Sequence, residues 1–481
     1  MHLVVVGGGV AGLGTALAGA RAGHAVTVLE RDATPIPPTA DAAFWWDRRG
    51  APQVRHSHAF LSRLRNLLVD RAPEVYAALL GAGATELRFT EHPPPTLTDH
   101  DARPGDERLR AIACRRTTFE WVLRRAVLAH AGVEFVDGIA IDGLVQARSV
   151  RNGGAPNGGI PRVAGVRGRH TADGRSFELT GDLVVDATGP RSLSRSWLAE
   201  IGVDEPVEQV VPSEIVYLSR FYRLCDACEA PPASGPIGGD VGYLKYAVFV
   251  GDNGTFSVTF AIDTDDRVMR RLTGVEYFER AAAQLVAAQP WLDGRSEPIT
   301  GVHSMAGLRN RRRRFVHDDA PVVSGFAAVG DAHVCTNPLY GRGCSLAVVH
   351  AYGLVDALSL DDGDRETAFD EFTERELDPW FRASVQQDRE SQAASHPDGP
   401  LDPQRDLMRE VFRDGLLPAV RTSPAVYRAF LRWFNLEATP DALVSDPEVV
   451  AAVMQCYSER DQREPEAALG PDRATFLAAL D

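Results

Sequence analysis

The segment Leu3-Val-Val-Val-Gly-Gly-Gly-Val-Ala-Gly12 decides the fold of this chain. A short apolar run leads directly into three glycines, a pattern typical of a buried strand, a tight turn and a helix start. Glycines let backbone amides approach a pyrophosphate, and the helix N-terminus adds a favourable dipole. The next apolar run, residues 25–29, ends at Glu30, where an acid takes ribose hydroxyls. Strand, turn, helix, second strand and acid predict a dinucleotide-binding domain.

Two distant segments complete this pattern. Val329-Gly-Asp-Ala-His-Val-Cys-Thr-Asn-Pro-Leu-Tyr-Gly-Arg-Gly-Cys344 resembles the second flavin motif of the p-hydroxybenzoate hydroxylase-like FAD-dependent monooxygenases. Leu183-Val-Val-Asp-Ala-Thr-Gly-Pro-Arg-Ser192 resembles the strand and turn beside the cofactor in the same superfamily. The three segments follow the family's order and spacing. The resemblance implies FAD, with Asp331 at the ribityl chain and the loop amides of 341–343 at the flavin pyrimidine edge.

A bacterial branch of that superfamily shares further segments. Arg49 to His58, Cys114 to Glu120 and Asn337 to Gly343 are similar to the polyether epoxidases of the monensin and lasalocid type. This resemblance covers most of residues 1–360. It implies that Arg116 lies against the cofactor and that the loop with His56 and His58 lies near it.

The motifs and the resemblance together predict one set of site residues. We expect His58 and Tyr340 to take part in catalysis and no residue to bind a metal. The cofactor-binding residues predicted in this way are Gly7, Gly9, Val10, Ala11, Gly12, Glu30, Arg31, Arg116, Gly189, Asp331, Pro338, Gly341, Gly343 and Cys344. Cys225-Asp-Ala-Cys228 has no second pair at zinc spacing, and we interpret it as a loop with two ordinary thiols.

The predicted fold class is α/β, with a Rossmann-type FAD-binding domain interleaved with an antiparallel substrate domain. Because the flavin motifs span residues 7 to 343, the cofactor domain must be assembled from separated segments. We assign residues 1–82, 108–202 and 302–365 to it. Residues 203–301 form the main part of the substrate domain, since alternating aromatic and β-branched runs there indicate antiparallel strands. Residues 83–107, which are rich in Pro and acidic residues, are expected to cross into the same domain. Residues 366–481 form a helical C-terminal region.

Several local patterns add expectations. Thr117 to His130 has helical periodicity, with Arg124 and Arg125 expected on its solvent side. Residues 151–160 are typical of a hairpin tip. The run Arg309-Asn-Arg-Arg-Arg-Arg314 indicates a strand with solvated arginines, although it could also attract an anionic substrate or an NADPH phosphate. Tyr217, Arg220, Tyr222, Tyr243 and Lys245 lie on strands, but the sequence does not show which of them face inward.

Composition excludes other classes. The net charge of −15 argues against a nucleic-acid partner, because phosphate binding requires a basic face. No apolar run is long enough to span a membrane. Six cysteines in 481 residues do not make a disulfide framework, which fits a reducing cytoplasm.

The resemblance implies an activity. In that family, reduced FAD forms a C4a-hydroperoxide with oxygen and delivers an oxygen atom to an electron-rich ring or alkene. We therefore predict an FAD-dependent monooxygenase, a hydroxylase or epoxidase, acting on a small secondary metabolite. A geranylgeranyl-reductase-like activity shares the Asp-Ala-Thr-Gly form of residues 186–189, and a non-catalytic flavin-binding subunit is a further alternative. A halogenase is disfavoured because the Trp-x-Trp-x-Ile-Pro signature is absent.

The electron donor stays open between two routes. Aromatic hydroxylases that bind NADPH themselves usually carry Asp-Gly where this chain has Thr188-Gly189. Residues 13–481 contain no second strand, glycine turn and helix of the dinucleotide type. We expect electrons from NADPH or NADH, either by transient docking at the flavin or, with a slight preference, through a separate flavin reductase.

Overall fold

The computed structural model describes residues 1–481 except 100, 148–159, 204, 227, 232–236, 362, 396–402 and 465–466. The hairpin tip predicted for residues 151–160 therefore lies, up to residue 159, outside the described residues. The strands are β1 (His2–Val6), β2 (Ala25–Leu29), β3 (Thr85–Arg88), β4 (Arg110–Ala113), β5 (Val133–Val136), β6 (Ile139–Gln146), β7 (Val163–His170), β8 (Ser176–Thr180), β9 (Leu183–Asp186), β10 (Val207–Pro212), β11 (Ile215–Leu224), β12 (Gly238–Asp240), β13 (Lys245–Val250), β14 (Thr255–Asp263), β15 (Ser296–Pro298), β16 (His303–Met305), β17 (Arg309–Arg314), β18 (Val316–His317), β19 (Ala320–Pro321), β20 (Phe326–Ala328) and β21 (Val334–Cys335).

Helices connect these strands and dominate the chain after residue 365. They are α1 (Val10–Arg21), α2 (Ala40–Ala43), α3 (Ser62–Arg71), α4 (Pro73–Gly81), α5 (Arg116–Ala129), α6 (Ser194–Glu200), α7 (Val275–Ala282), α8 (Gln289–Leu292), α9 (Gly343–Ala357), α10 (Arg365–Glu376), α11 (Asp378–Ser395), α12 (Pro403–Glu410), α13 (Leu417–Thr422), α14 (Pro424–Phe434), α15 (Pro440–Ser445), α16 (Pro447–Ser458) and α17 (Arg473–Ala478).

Five parallel strands form the central sheet, in the order β20-β9-β1-β2-β5. Their side chains are mostly buried on both faces, as parallel sheets covered by helices require. β1 pairs with β2 on one side and β9 on the other, so the strand order reverses at β1. In open α/β sheets, ligands bind beyond the carboxyl ends of the strands at such a point. The first motif follows β1 and is therefore placed at the expected binding edge.

A second, antiparallel layer is formed by β11 to β16, which we call the roof sheet. Its strands follow the order β12-β13-β14-β11-β15, with β16 also paired to β11. The outer face is apolar and packs against Phe278 of α7 and Phe476 of α17. The inner face contacts the loop before α9, since the Tyr217 hydroxyl donates to Asn337 Oδ1 over 2.9 Å. The predicted α/β fold class, with an antiparallel sheet and a helical C-terminal region, is confirmed.

Two local predictions outside the site are wrong. Arg124 is buried rather than solvated, because its guanidinium lies over the rings of Phe135 and Trp46 at 4.2 and 5.5 Å. Cys225 and Cys228 are joined by a disulfide and are not two free thiols. Among the helices described, none has the length and apolar character needed to cross a bilayer.

A buried ion pair joins the two layers. Asp252, in the turn between β13 and β14, accepts hydrogen bonds from the Arg115 backbone amide at 2.8 Å and from Arg115 Nε at 3.0 Å. Both side chains are buried. Asp252→Ala should lower the free energy of unfolding by about 3–5 kcal/mol, because Arg115 would keep a buried charge without its partner.

Urea denaturation followed by circular dichroism measures this loss. The matched control is Asp173→Ala, which removes the partner of Arg175 at the surface and should change stability little. Equal effects of the two substitutions would contradict the claim that the Arg115–Asp252 pair holds the layers together.

Candidate functional site

The first glycine motif forms a turn in which side chains do not fit at Gly7, Gly8 and Gly12. Gly7 has a φ of +110°, and a Cβ at Gly12 would lie 1.8 Å from the Gly7 carbonyl oxygen. At Gly9, by contrast, a Cβ would meet no heavy atom within 4 Å beyond its chain neighbours. α1 begins at Val10, so its first free amides, including that of Ala11, point into this unfilled space. The turn thus has the geometry that a pyrophosphate requires.

Glu30 lies at the end of β2 and closes the turn from the side. Its carboxylate accepts from the Gly8 amide at 2.9 Å and from the Asp32 amide at 2.8 Å. Arg48, which the sequence did not indicate, is buried here and donates to Glu120 at 2.6 Å and to the Gly8 carbonyl at 3.1 Å. Burial alone would lower the pKa of Arg48, but Glu120 and Glu30 raise it. The charge of Arg48 is therefore fixed beside the glycine turn.

The predicted residue Arg31 behaves differently. Its side chain is exposed, whereas its neighbour Glu30 is buried.

The second motif packs directly on the first. Gly330 has a φ of +57°, and a Cβ there would lie 2.9 Å from the Ala11 Cβ. α9 begins at Gly343 after a left-handed Gly341, at φ +66°. Like Gly9, Gly343 has no heavy atom within 4 Å of the position that its Cβ would take. Two helix N-termini, those of α1 and α9, therefore frame the same side of the central sheet.

Arg116 connects this second motif to α5. Its guanidinium donates to Glu120 at 2.8 Å and lies 2.9 Å from the Cys344 sulfur in the first turn of α9. All three side chains are buried. Glu120 therefore accepts from both Arg48 and Arg116 and ties the glycine turn to the α9 N-terminus.

Asp331 is half-buried beside Arg116. Burial raises the pKa of its carboxyl to about 6, while Arg116 and Arg311 act in the opposite direction. No described residue donates a hydrogen bond to the carboxylate. A carboxylate with unfilled acceptor capacity between two helix N-termini is suited to hydroxyl donors.

The third motif uses its acid internally. Asp186 is buried and accepts from the Thr188 amide at 2.9 Å, the Thr188 hydroxyl at 2.6 Å and the Ser192 hydroxyl at 2.5 Å. This turn places Gly189 in the left-handed region, at φ +77°. The Ala187 carbonyl lies 2.6 Å from the position of a Cβ on Gly7, so all three motifs meet at the start of α1.

The loop of His56 and His58 lies between the second motif and the roof sheet. A Cβ on Gly341 would lie 2.6 Å from the Ala59 Cβ. His58 donates from Nδ1 to the His56 carbonyl at 2.9 Å, and burial together with Arg116 lowers the pKa of His58 to about 3. Burial also lowers the pKa of His56 to about 4. Both imidazoles are therefore neutral at physiological pH.

Tyr340 is half-buried in the turn Pro338–Tyr340, whose first residue is exposed. Burial raises the pKa of the Tyr340 phenol, which stays protonated. The buried Arg342 guanidinium lies 4.7 Å from the Tyr340 ring and 4.8 Å from that of Trp380, and it donates to Gln387 at 3.1 Å. These contacts bind the loop before α9 to α11. Nothing in a single sequence indicates this aromatic setting.

A buried amide and acid network holds the same loop. Asp388 accepts from Asn337 Nδ2 at 2.5 Å and Asn310 Nδ2 at 2.6 Å. Asn310 Oδ1 in turn accepts from the Asn337 amide at 2.8 Å and from the Ser384 hydroxyl at 2.7 Å. Burial raises the pKa of Asp388, against these hydrogen bonds. The loop conformation is therefore set by β17 and α11 together.

The structure shows which of the tyrosine, arginine and lysine side chains predicted on strands lie on the inner face of the roof sheet. Tyr217 and Lys245 both lie opposite Ala261 and share the inner face. Lys245 Nζ lies 2.6 Å from the Ser391 hydroxyl. The side chains of Arg220 and Tyr222 both reach Glu279 of α7, and the Tyr243 hydroxyl donates to the Pro471 carbonyl.

The arginines of β17 are less solvated than predicted. Arg313 is buried and donates to Glu208 at 2.9 Å and to the Ala332 carbonyl at 2.7 Å. Arg311 lies 3.6 Å from Glu208. These side chains border a cleft of about 410 Å³ lined by Ser192, Leu193, Arg195, Ser196, Glu205, Glu208, Val210, Arg309, Arg311 and Arg313. The cleft therefore begins at the third motif.

The chain is similar to known flavoproteins. Residues 2–86 match the FAD dependent oxidoreductase family. The protein is 26% identical to Protein Rv3254 of Mycobacterium tuberculosis, over 96% of both chains.

Solved flavoproteins share the fold over most of the chain. One is PqsL, a probable FAD-dependent monooxygenase from Pseudomonas aeruginosa, at 17% identity, 84% of this chain, 98% of that chain and a TM-score of 0.55. Another is the anhydrotetracycline hydroxylase OxyS from Streptomyces rimosus, at 18% identity, 90% and 76% coverage and a TM-score of 0.55. A third is the myxobacterial chondrochloren halogenase CndH, at 17% identity, 95% and 97% coverage and a TM-score of 0.59.

The family match agrees with the prediction of an FAD-dependent oxidoreductase, and the solved structures share the predicted fold. The resemblance to the p-hydroxybenzoate hydroxylase-like superfamily rests on the three sequence motifs. The narrower similarity to polyether epoxidases stays a prediction.

Gly9 offers a test that separates binding from folding. Gly9→Ala should leave the free energy of unfolding within about 0.5 kcal/mol, because the added methyl meets no protein atom. It should weaken FAD binding by about tenfold or more, or at least 1.4 kcal/mol, because the methyl occupies the space assigned to the pyrophosphate. Flavin fluorescence titration and urea denaturation measure the two effects. Gly12→Ala is the control that should disrupt both, and unchanged affinity in Gly9→Ala would refute the pyrophosphate position.

Asp331 should make FAD binding depend on pH. The unbound carboxyl has a pKa of about 6, and hydroxyl donors from the ribityl chain would favour its charged form. Binding therefore lowers this pKa and releases a proton, so FAD affinity should fall as the pH drops below about 6. Asp331→Asn should weaken binding by about 1.5–3 kcal/mol at neutral pH and remove the pH dependence. Dissociation constants over a pH series measure this, and an unchanged pH profile in the variant would exclude Asp331.

Proposed function

We propose that the protein is an FAD-dependent monooxygenase that hydroxylates or epoxidises a small organic substrate of the secondary-metabolite class. The observation that supports this most directly is the meeting of the three motifs under the inner face of the roof sheet. We keep the domain division predicted from the sequence, with residues 203–301 as the main part of the substrate domain.

We assign the cofactor contacts from one end of the site to the other. Glu30 would take the adenosine ribose, the Gly9, Val10 and Ala11 amides the pyrophosphate, and Asp331 the ribityl hydroxyls. The Gly341–Gly343 loop would meet the flavin ring. The remaining predicted residues would support these contacts through backbone or packing: Gly7, Gly12, Arg31, Arg116, Gly189, Pro338 and Cys344.

The bound FAD, once reduced, would activate oxygen and transfer one oxygen atom to an electron-rich carbon. The protein must exclude water and hold the substrate over the ring. Ala247 and Phe249 keep partial exposure on the inner face of β13, the face from which Tyr217 reaches the loop before α9. We place the substrate there. Neutral His58 and the protonated Tyr340 phenol can donate or accept hydrogen bonds at that point without introducing charge.

The cleft beside the third motif supports a docking place for the electron donor. Arg195, Arg309 and Arg311 offer cations to a nicotinamide dinucleotide phosphate, and Glu205 and Glu208 offset part of that charge.

Thr188, held by Asp186, stands where direct NADPH users carry an acid. We therefore propose that NADPH or NADH reduces the flavin mainly through a separate flavin reductase, with direct docking as the slower route.

A reductase of the geranylgeranyl type is the second candidate, since the Asp186-Ala-Thr-Gly189 turn is shared with that group. It would saturate an alkene without oxygen.

Oxygen labelling distinguishes the two. With a panel of phenols and polyenes, chemically reduced holoprotein and labelled oxygen should give a product that carries one labelled atom. Ala247→Trp should abolish product formation by filling the substrate space while FAD remains bound, whereas Val268→Trp, at an exposed position, should have no effect. Mass spectrometry and flavin absorbance are the measurements. Anaerobic formation of a saturated product would instead support the reductase.

The same preparation identifies the electron donor. The protein is mixed in a stopped-flow instrument with NADPH or NADH, each with and without a flavin reductase. Reduction of the bound flavin should be slow with either nucleotide alone and fast when the reductase is present. Fast reduction by NADPH alone would exclude the separate partner.

A further inference from the structure

Four hydroxyl groups and one imidazole form a continuous file against the inner face of the roof sheet. Ser257 Oγ lies 2.7 Å from Ser57 Oγ, and Ser57 Oγ lies 2.5 Å from Thr259 Oγ1. Thr259 Oγ1 lies 2.9 Å from Ser219 Oγ, which lies 3.1 Å from His56 Nδ1. We call these five side chains the hydroxyl file.

The hydrogen bonds of the hydroxyl file are all donated in the same direction along it. Each hydroxyl can donate one hydrogen bond, and four hydroxyls here share four hydrogen bonds with their neighbours and His56. If His56 Nδ1 accepts, every hydroxyl donates toward His56. If Nδ1 carries the proton, every hydroxyl donates away from it. The tautomer of one neutral imidazole therefore sets the orientation of the whole file.

The members of the file differ in burial, and the member at the end away from His56 is Ser257. Ser57 is half-buried, while Ser219, Ser257, Thr259 and His56 are buried. Ser57 is followed by His58 and by Ala59, which contacts the loop before α9. Ser57 is thus the half-buried member of the file and is close in sequence to the contact between Ala59 and Gly341.

At the other end, His303 lies across the strands from Ser219, and its ring centroid is 6.4 Å from that of His56. His303 is half-buried, and its pKa is lowered by this burial and by the charge of the exposed Arg55. The file thus connects the half-buried Ser57 to the neighbourhood of the half-buried His303.

We propose that the hydroxyl file is a proton relay between the flavin site and His303. A proton that enters at Ser57 displaces the hydroxyl protons of Thr259 and Ser219 in turn and arrives at His56 Nδ1, while the His56 Nε2 proton leaves toward His303. One proton enters and one leaves, so no charge accumulates in the buried file. The file returns to its starting state when the hydroxyl groups rotate and the imidazole ring flips. This role rests on the proposed flavin chemistry, which needs protons in a site closed to water.

Breaking one link tests the relay. Thr259→Val keeps the shape and removes one hydroxyl, Ser219→Ala breaks the next link, and Thr259→Ser keeps the file intact. The matched control is Thr255→Val, which removes an equally buried hydroxyl from the same strand outside the file. FAD-loaded protein is reduced anaerobically with dithionite and mixed with ferricyanide. Two ferricyanides take two electrons, and the flavin releases its N5 proton.

The relay predicts a solvent deuterium isotope effect on this oxidation in the unaltered protein. Thr259→Val and Ser219→Ala should slow it by about tenfold or more, while Thr259→Ser and Thr255→Val retain the original rate. Equal rates in all variants would overturn the proposal. Because ferricyanide replaces oxygen, a protein that binds FAD but does not oxygenate substrates still gives a result.

Nuclear magnetic resonance of nitrogen-labelled histidine gives a second readout without flavin. Thr259→Val should change the Nδ1 and Nε2 shifts of His56, assigned with His56→Gln, because the file no longer sets one tautomer. Thr255→Val should not. A structural role that only pins the loop to the sheet would leave the His56 tautomer unchanged in Thr259→Val, and that result would also overturn the relay.

Discussion

The site depends on three close contacts at glycines, which leave no room for a side chain on the glycine. The contact of Gly12 with the Gly7 carbonyl closes the first turn. The contacts of Gly7 with the Ala187 carbonyl and of Gly330 with the Ala11 side chain bring the other two segments to the start of α1. Any Cβ at these positions would separate the segments. This packing brings four groups close together: the N-termini of α1 and α9, the partly buried carboxylate of Asp331 and the neutral imidazole of His58. The chemistry assigned to the molecule is therefore a consequence of how closely its backbone can pack.

Charge is distributed unevenly around this point. Arg48 and Arg116 are buried, but both donate to Glu120, so their charges are largely compensated within the protein. The N-termini of α1 and α9 and the carboxyl of Asp331 are not paired in this way with any residue that the structure describes. This arrangement leaves a local excess of donors for a pyrophosphate and an acceptor for ribityl hydroxyls. It also explains why Arg48, Arg116 and Glu120 can be buried together, since these side chains satisfy one another.

The glycine motifs could be predicted because the turn geometry they require is local, and glycine is the residue that permits it. The antiparallel roof was visible in the alternation along residues such as Ile215 to Leu224. Arg48, the burial of Arg124 and the aromatic setting of Arg342 could not be predicted, because each depends on rings or carboxylates contributed by distant segments. The hydroxyl file was hidden for the same reason: serine and threonine on a strand are uninformative until the register places them side by side.

The structure of the protein with FAD bound is the most direct test of this account. We predict the pyrophosphate beside Gly9 at the start of α1, a ribityl hydroxyl bonded to Asp331, and the flavin ring against the Gly341–Gly343 loop beneath the inner face of the roof sheet. A flavin ring outside the space between that loop and the roof sheet, or a dinucleotide away from the α1 N-terminus, would contradict the central claim that the three motifs build one site.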